Sequence, residues 1–192
     1  MNWYIRFSVG LGLLLYIPLC LQVWRGTVKQ NLVSWILWCT LDGIVAVALF
    51  VQGGNYALPL TYTMGCLITI FCILRHKECR WTWFEKIIVV MVLICLVIWY
   101  FSGPRMATIA TTMAVVLAGL PLLADSFRDP HRAPLQIFVG YAVVNLLSTI
   151  GGKEWSVEER LYPLANFLYC VFLVLATSRR FWMTEGMRVA RC

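Results

Sequence analysis

Asp42 is the one carboxylate that falls deep within a hydrophobic run of this chain, ten residues from Leu32 and nine from Val51. An acidic side chain at the centre of a membrane span costs about 2.5 to 3.5 kcal/mol. That cost suggests a purpose: binding a polar solute, or loading and releasing a proton as a cavity alternates between wet and closed. About 103 residues further on, at the same depth of another apolar run, stands Asn145. Trp35 and Trp38 share a helical face with Asp42, and Phe138 and Tyr141 share the matching face with Asn145. Aromatic rings stack on the apolar face of a sugar, a base or a similar solute, while the carboxylate and the amide hydrogen-bond its polar edge. A third apolar run in each part of the chain adds Tyr62 and Asn166, matched at an offset of about 104. These eight residues form the expected substrate-binding set.

The matched positions belong to a longer repeat. The run from Ile17 to Leu32 lies against Leu120 to Leu135, pairing Pro18 with Pro121, Arg25 with Arg128 and Leu32 with Leu135. After one residue of slip, Pro59 and Leu60 meet Pro163 and Leu164, Cys66 meets Cys170, and Arg75 meets Arg179. Units of this length are too long for a solenoid and too apolar for soluble domains. Proline removes one helical hydrogen bond. Pro18 with Gln22, and Pro121 with Asp125, therefore read as a hinge or gate at matching depth in the two repeats.

Of the 192 residues, 61% are hydrophobic and 13% charged, and the charges cluster between long apolar runs. Such a chain is expected to be an all-α integral membrane protein. Seven spans can be drawn: Trp3 to Trp24, Leu32 to Val51, Ala57 to Leu74, Ile87 to Phe101, Met106 to Ala124, Leu135 to Ile150 and Leu161 to Ser178. Of the 16 lysines and arginines, only Arg6, Arg105, Lys153 and Arg160 fall on one side. The positive-inside rule then puts the N-terminus outside and the C-terminus in the cytoplasm. The net charge of +7 is accounted for by this topology and by inner-leaflet lipid, without nucleic acid.

The first run lacks a basic leader and a small-residue cleavage pattern, so it reads as a retained helix. The eight cysteines show no C-x-x-C spacing and read as packing residues. His76 and His131 fall on inner loops as solvated residues. No H-E-x-x-H or G-x-S-x-G motif and no paired intramembrane carboxylate is present, so neither an enzyme, a metal site nor a cofactor is expected.

Three spans per repeat with one span between them give a 3+1+3 plan: residues 1–80 as the first three-helix repeat, 81–104 as a linker helix, 105–180 as the second repeat and 181–192 as a juxtamembrane tail. This plan, with a proline near the inner end of each repeat's first helix, resembles the PQ-loop, or SWEET-like, superfamily of small-solute transporters. The family's dipeptide would place glutamine directly after proline, where this sequence has Leu19 and Leu122. The resemblance implies two parallel three-helix bundles about an axis along the membrane normal. It also implies alternating access, by uniport or proton coupling, for a small polar solute such as a sugar, amino acid or vitamin. SWEET carriers hold sugar with an asparagine in each third helix; Asn166 is similar, and Tyr62 breaks the pair.

The alternative is a receptor, sensor or assembly factor on the same scaffold, which binds without moving its ligand. The expected partners are the solute, protons and membrane lipids, in a bacterial cytoplasmic membrane. A monomer suffices for this plan, and a homo-oligomer is compatible with it. Cysteine-accessibility labelling in the loop that holds Gly54 tests the topology: reaction from outside is expected, and reaction only from inside would contradict seven spans.

Overall fold

The computed structural model describes residues 2–25, 32–75, 83–128, 130 and 135–189. All the elements formed by these residues are helices: α1 (Trp3–Trp24), α2 (Leu32–Val51), α3 (Ala57–Leu74), α4 (Trp83–Ala118), α5 (Leu120–Arg128), α6 (Leu135–Ile150) and α7 (Tyr162–Val189), with a π-helical turn at Val157–Leu161 before α7. Five helical segments are long and apolar enough to cross a membrane, and α6 is a shorter apolar helix. The protein is therefore an all-helical integral membrane protein. The expected bounds of the first three spans and of Leu135 to Ile150 coincide with helices, because the apolar runs give way there to polar or glycine-containing sequence. Asn2 starts α1 by accepting the amide N–H of Ile5 on its side-chain oxygen at 3.2 Å. Helix α7 continues through the expected tail as far as Val189.

Helix α4 is two arms joined at Gly103, whose φ of 80° and ψ of 178° only glycine adopts without strain. Pro104 follows and opens the next arm, where its missing N–H breaks no helical bond. The arms fold back on each other along α2. Ile88 and Ala118, on opposite sides of the break, both belong to the cluster formed with Val33, Leu37, Leu41 and Ile44 of α2. In a straight helix those two residues would stand roughly 45 Å apart, against roughly 16 Å for the α2 stretch. The span expected at Met106 to Ala124 thus belongs to the second arm and α5, which are separated by a turn at Gly119.

Within each sequence repeat, the third helix packs between the other two: α3 contacts α1 and α2, and α7 contacts α4 with α5 on one side and α6 on the other. Between repeats, α1 packs on α6 and α2 on α4. Pairs of large and small residues carry these contacts, and they exchange places between repeats. The ring of Tyr16 in α1 fills the space a side chain at Gly65 of α3 would need, and Tyr169 of α7 does the same over Gly119. Tyr16 is the sequence mate of Gly119, and Gly65 of Tyr169. Likewise Leu15 of α1 lies over Gly140 of α6, and their mates Ala118 and Leu37 share one cluster. Volume at each contact is kept while the bulky partner changes helix, as close packing requires.

One end of the bundle is tied across the repeats. Asn2 Nδ2 donates to the Gly151 carbonyl at 2.7 Å, Gln52 Nε2 to Thr108 Oγ1 at 2.9 Å, and Asn55 Nδ2 to Ser148 Oγ at 3.1 Å. The Asn55 amide donates to the Glu158 carbonyl at 3.0 Å. The guanidinium of Arg160 fastens the chain after α6 by donating to the carbonyls of Thr149, Gly152 and Glu154, and Arg105 pairs with Glu158 at 3.1 Å. At the opposite end, a matched pair of cation–π contacts ties each repeat internally: Arg75 over Trp24 at 4.4 Å and Arg179 over Phe127 at 5.4 Å. These four residues are again sequence mates.

Lys29, His76, Lys77, Arg80, His131 and Arg132 lie outside the described residues. A Cβ at Gly54 would stand 2.5 Å from the Glu158 carbonyl, so the reporter cysteine for topology belongs at Trp155, which is 84% exposed. Gly65→Ala and Gly119→Ala should each destabilise the purified protein by about 1 to 3 kcal/mol, the usual cost of overpacking. Thermal unfolding measures this, and Tyr169→Leu should restore much of the loss in Gly119→Ala. No loss in either single variant would contradict the packing described.

Candidate functional site

The middle of the bundle holds a cavity of about 150 Å³, partly open to the outside and lined from both repeats. All eight residues expected to bind substrate border it. Trp35, Trp38 and Asp42 come from one face of α2, and Phe138, Tyr141 and Asn145 from the matching face of α6; Tyr62 of α3 and Asn166 of α7 complete the set. Helical spacing of three and four residues puts each trio on one stripe, and packing of α1 on α6 and α2 on α4 turns both stripes inward. The lining continues through Leu122 of α5 and Leu173 of α7. It includes none of the residues bonded across the tied end, so the cavity runs from mid-bundle toward the ends where α2 and α6 begin.

Asp42 is 5% exposed and accepts a hydrogen bond from the Tyr162 hydroxyl at 2.7 Å. Asn145 is 1% exposed; its Nδ2 donates to the Tyr62 hydroxyl at 2.7 Å and to the Tyr141 carbonyl at 2.8 Å. Both side-chain bonds cross between repeats, second helix to third. Asn145 Oδ1 is buried without a hydrogen-bond partner, leaving an acceptor beside the cavity. Asn166 donates to the Tyr162 carbonyl one turn back, at 3.0 Å.

Ring contacts link four tyrosines of the lining in a chain and its two tryptophans in a pair. Tyr141 meets Tyr16 edge-on at 5.9 Å between ring centroids and Tyr62 at 5.8 Å, and Tyr62 lies 6.3 Å from Tyr162. Trp35 and Trp38 meet edge-on at 5.7 Å. Tyr16, Tyr162 and Tyr169 border the cavity but were not expected from sequence. Tyr162 has Leu58 as its mate, so comparison of the repeats gives it no polar signal; it stands one turn before Asn166, and that spacing alone could have flagged it. Tyr16 and Tyr169 are each matched to glycine, and the exchange conceals them.

Of the expected hinge residues, Pro18 and Gln22 do not border this cavity. Pro18 is exposed on α1, which stays helical through it, and Gln22 is half-buried one turn further on. Pro121 and Asp125 lie on α5, and their side chains fall outside the described residues. Near Pro121 the helix turns at Gly119, whose carbonyl accepts the Tyr169 hydroxyl at 2.7 Å. The Met106 to Ala124 segment is thus interrupted beside its proline, whereas α1 is continuous at Pro18.

In comparison with known proteins, no family model matches the chain, and no curated protein and no solved structure does either. The geometry of the cavity therefore carries the functional argument. A double-mutant cycle on Asp42→Ala and Tyr162→Phe, measured by unfolding in mixed micelles, should give a coupling of about 0.5 to 3 kcal/mol, the range for residues in one hydrogen-bonded contact. Additive effects would mean that the bond does not join the repeats.

Proposed function

We propose that this protein is an alternating-access carrier of a small polar solute, built on the 3+1+3 plan of the PQ-loop and SWEET-like superfamily. In this reading α1–α3 form one three-helix bundle, the first arm of α4 is the linker, and the second arm of α4 with α5, α6 and α7 forms the other. The parallel layout is supported by the reciprocal packing of α1 on α6 and α2 on α4 and by the exchanged tyrosine–glycine pairs. In this reading the apolar runs supply seven spans, the charge pattern puts the N-terminus outside, and the membrane is a bacterial cytoplasmic one.

A single observation carries the proposal. One mid-bundle cavity collects matched residues from both repeats, and the bundle is tied across the repeats beyond one end of it. That arrangement corresponds to a carrier closed on one side. The bonds at the tied end are few and reach polar groups that water can also satisfy, so exchanging them for a seal at the other end costs little. Each bundle would tilt as a unit, held by its own internal contacts, such as Arg75 with Trp24 and Arg179 with Phe127.

The test is counterflow in reconstituted vesicles with labelled sugars, amino acids and amines. Saturable exchange of one class is expected. Asp42→Asn should keep some exchange but lower gradient-driven accumulation at least tenfold if the carboxylate carries the coupling proton. Pro18→Ala with Pro121→Ala should leave expression intact and slow exchange. Binding without movement of any solute would favour the receptor reading, and unchanged flux in the Asp42 variant at every pH would remove it from the site.

A further inference from the structure

We infer that the central cavity takes a small monovalent organic cation, an ammonium group on a skeleton about the size of a single ring. The inference rests on the reading of that cavity as a solute site and narrows its ligand. Three observations carry it. First, eight of the lining residues are aromatic, and among the described residues the one charged group in the lining is Asp42. Aromatic faces present negative potential to a cation, and a cage of such rings recognises substituted ammonium groups. Second, two acceptors stand together at the acidic end of the lining. Tyr162 donates to Oδ1 of Asp42, which leaves the second carboxylate oxygen, and Asn145 Oδ1 is buried with no partner. A ligand rich in N–H donors or positive charge satisfies both. Third, no lysine, arginine or histidine borders the cavity among the described residues, so the carboxylate of an amino acid would find no countercharge in a desolvated site.

Size limits the ligand as well. A cavity of about 150 Å³ is on the order of the space that holds one benzene-sized guest. Within it, the ammonium would sit beside Asp42 and Asn145, with its carbon groups against Trp38, Tyr62 and Tyr141.

The experiment compares choline with 3,3-dimethylbutan-1-ol, which has the same shape and hydroxyl group but carbon in place of the charged nitrogen. Binding is read by isothermal titration calorimetry on the full chain in lipid nanodiscs, with glucose, tetramethylammonium and benzylammonium as further probes. At least one ammonium probe should bind. The neutral alcohol should bind at least tenfold more weakly than choline, and Asp42→Asn should weaken ammonium binding at least tenfold. If that variant does not fold, Trp38→Leu provides a second test, since it should weaken choline more than the alcohol.

Equal binding of choline and the alcohol would overturn the inference. So would glucose binding as tightly as any ammonium, or no ammonium binding at 10 mM. Choline binding without flux would sustain the inference while removing the carrier reading. Glucose counterflow without ammonium binding would do the reverse.

Discussion

A carboxylate held in the apolar middle of a helical bundle must have a hydrogen-bonding partner, and most of the central architecture follows from that need. Asp42 finds it in Tyr162, on the far repeat. To make that bond, α7 must present its first turn to the middle of α2. The short π-helical turn before Tyr162 and the Arg160 contacts that fix the chain after α6 set that position. The quasi-symmetric bond from Asn145 to Tyr62 joins the repeats in the opposite sense. Two polar bonds across the middle of the seam thus help set the register of one repeat on the other, and a slip by one turn would leave a buried acid unpaired.

Around this seam, close packing is met by exchange of volume. A tyrosine opposite a glycine fills each junction of first and third helices, but the tyrosine is on α1 in one repeat and on α7 in the other. The two bundles can therefore be alike in shape without being alike in sequence. The asymmetry that remains is concentrated at the site, where an acid faces an amide and a tyrosine faces an asparagine. There the repeats differ in chemistry more than in form, and the cavity acquires a single charged wall.

Much of this was legible in the sequence because two signals are strong in apolar chains. Hydrophobic run length gave the bounds of α1, α2, α3 and α6. The rarity of mid-span polar groups singled out Asp42 and Asn145, and helical spacing then brought Trp35, Trp38, Phe138 and Tyr141 to the same cavity. What stayed hidden depended on contacts between distant segments. Tyr162 is one tyrosine at a helix start until Asp42 is seen beside it. The tyrosine–glycine pairs look like divergence at each position and make sense only as pairs. Gly103 reads as a loop residue, and its positive φ shows how tightly the two arms of α4 are joined.

The central claim is that two bundles move as units about the Asp42 and Asn145 seam, so that opening one end closes the other. Electron–electron resonance distances in lipid nanodiscs test it most directly, with spin labels on non-natural residues at Tyr56 and Trp155 for the tied end and at Leu74 and Arg128 for the other. Asn55→Leu removes the bonds that the Asn55 side chain makes to Ser148 across the tied end. The account predicts that a longer Tyr56–Trp155 population then grows, while a shorter Leu74–Arg128 population grows by the same fraction. Lengthening at the tied end with no change at the other would mean local fraying, and would contradict the account.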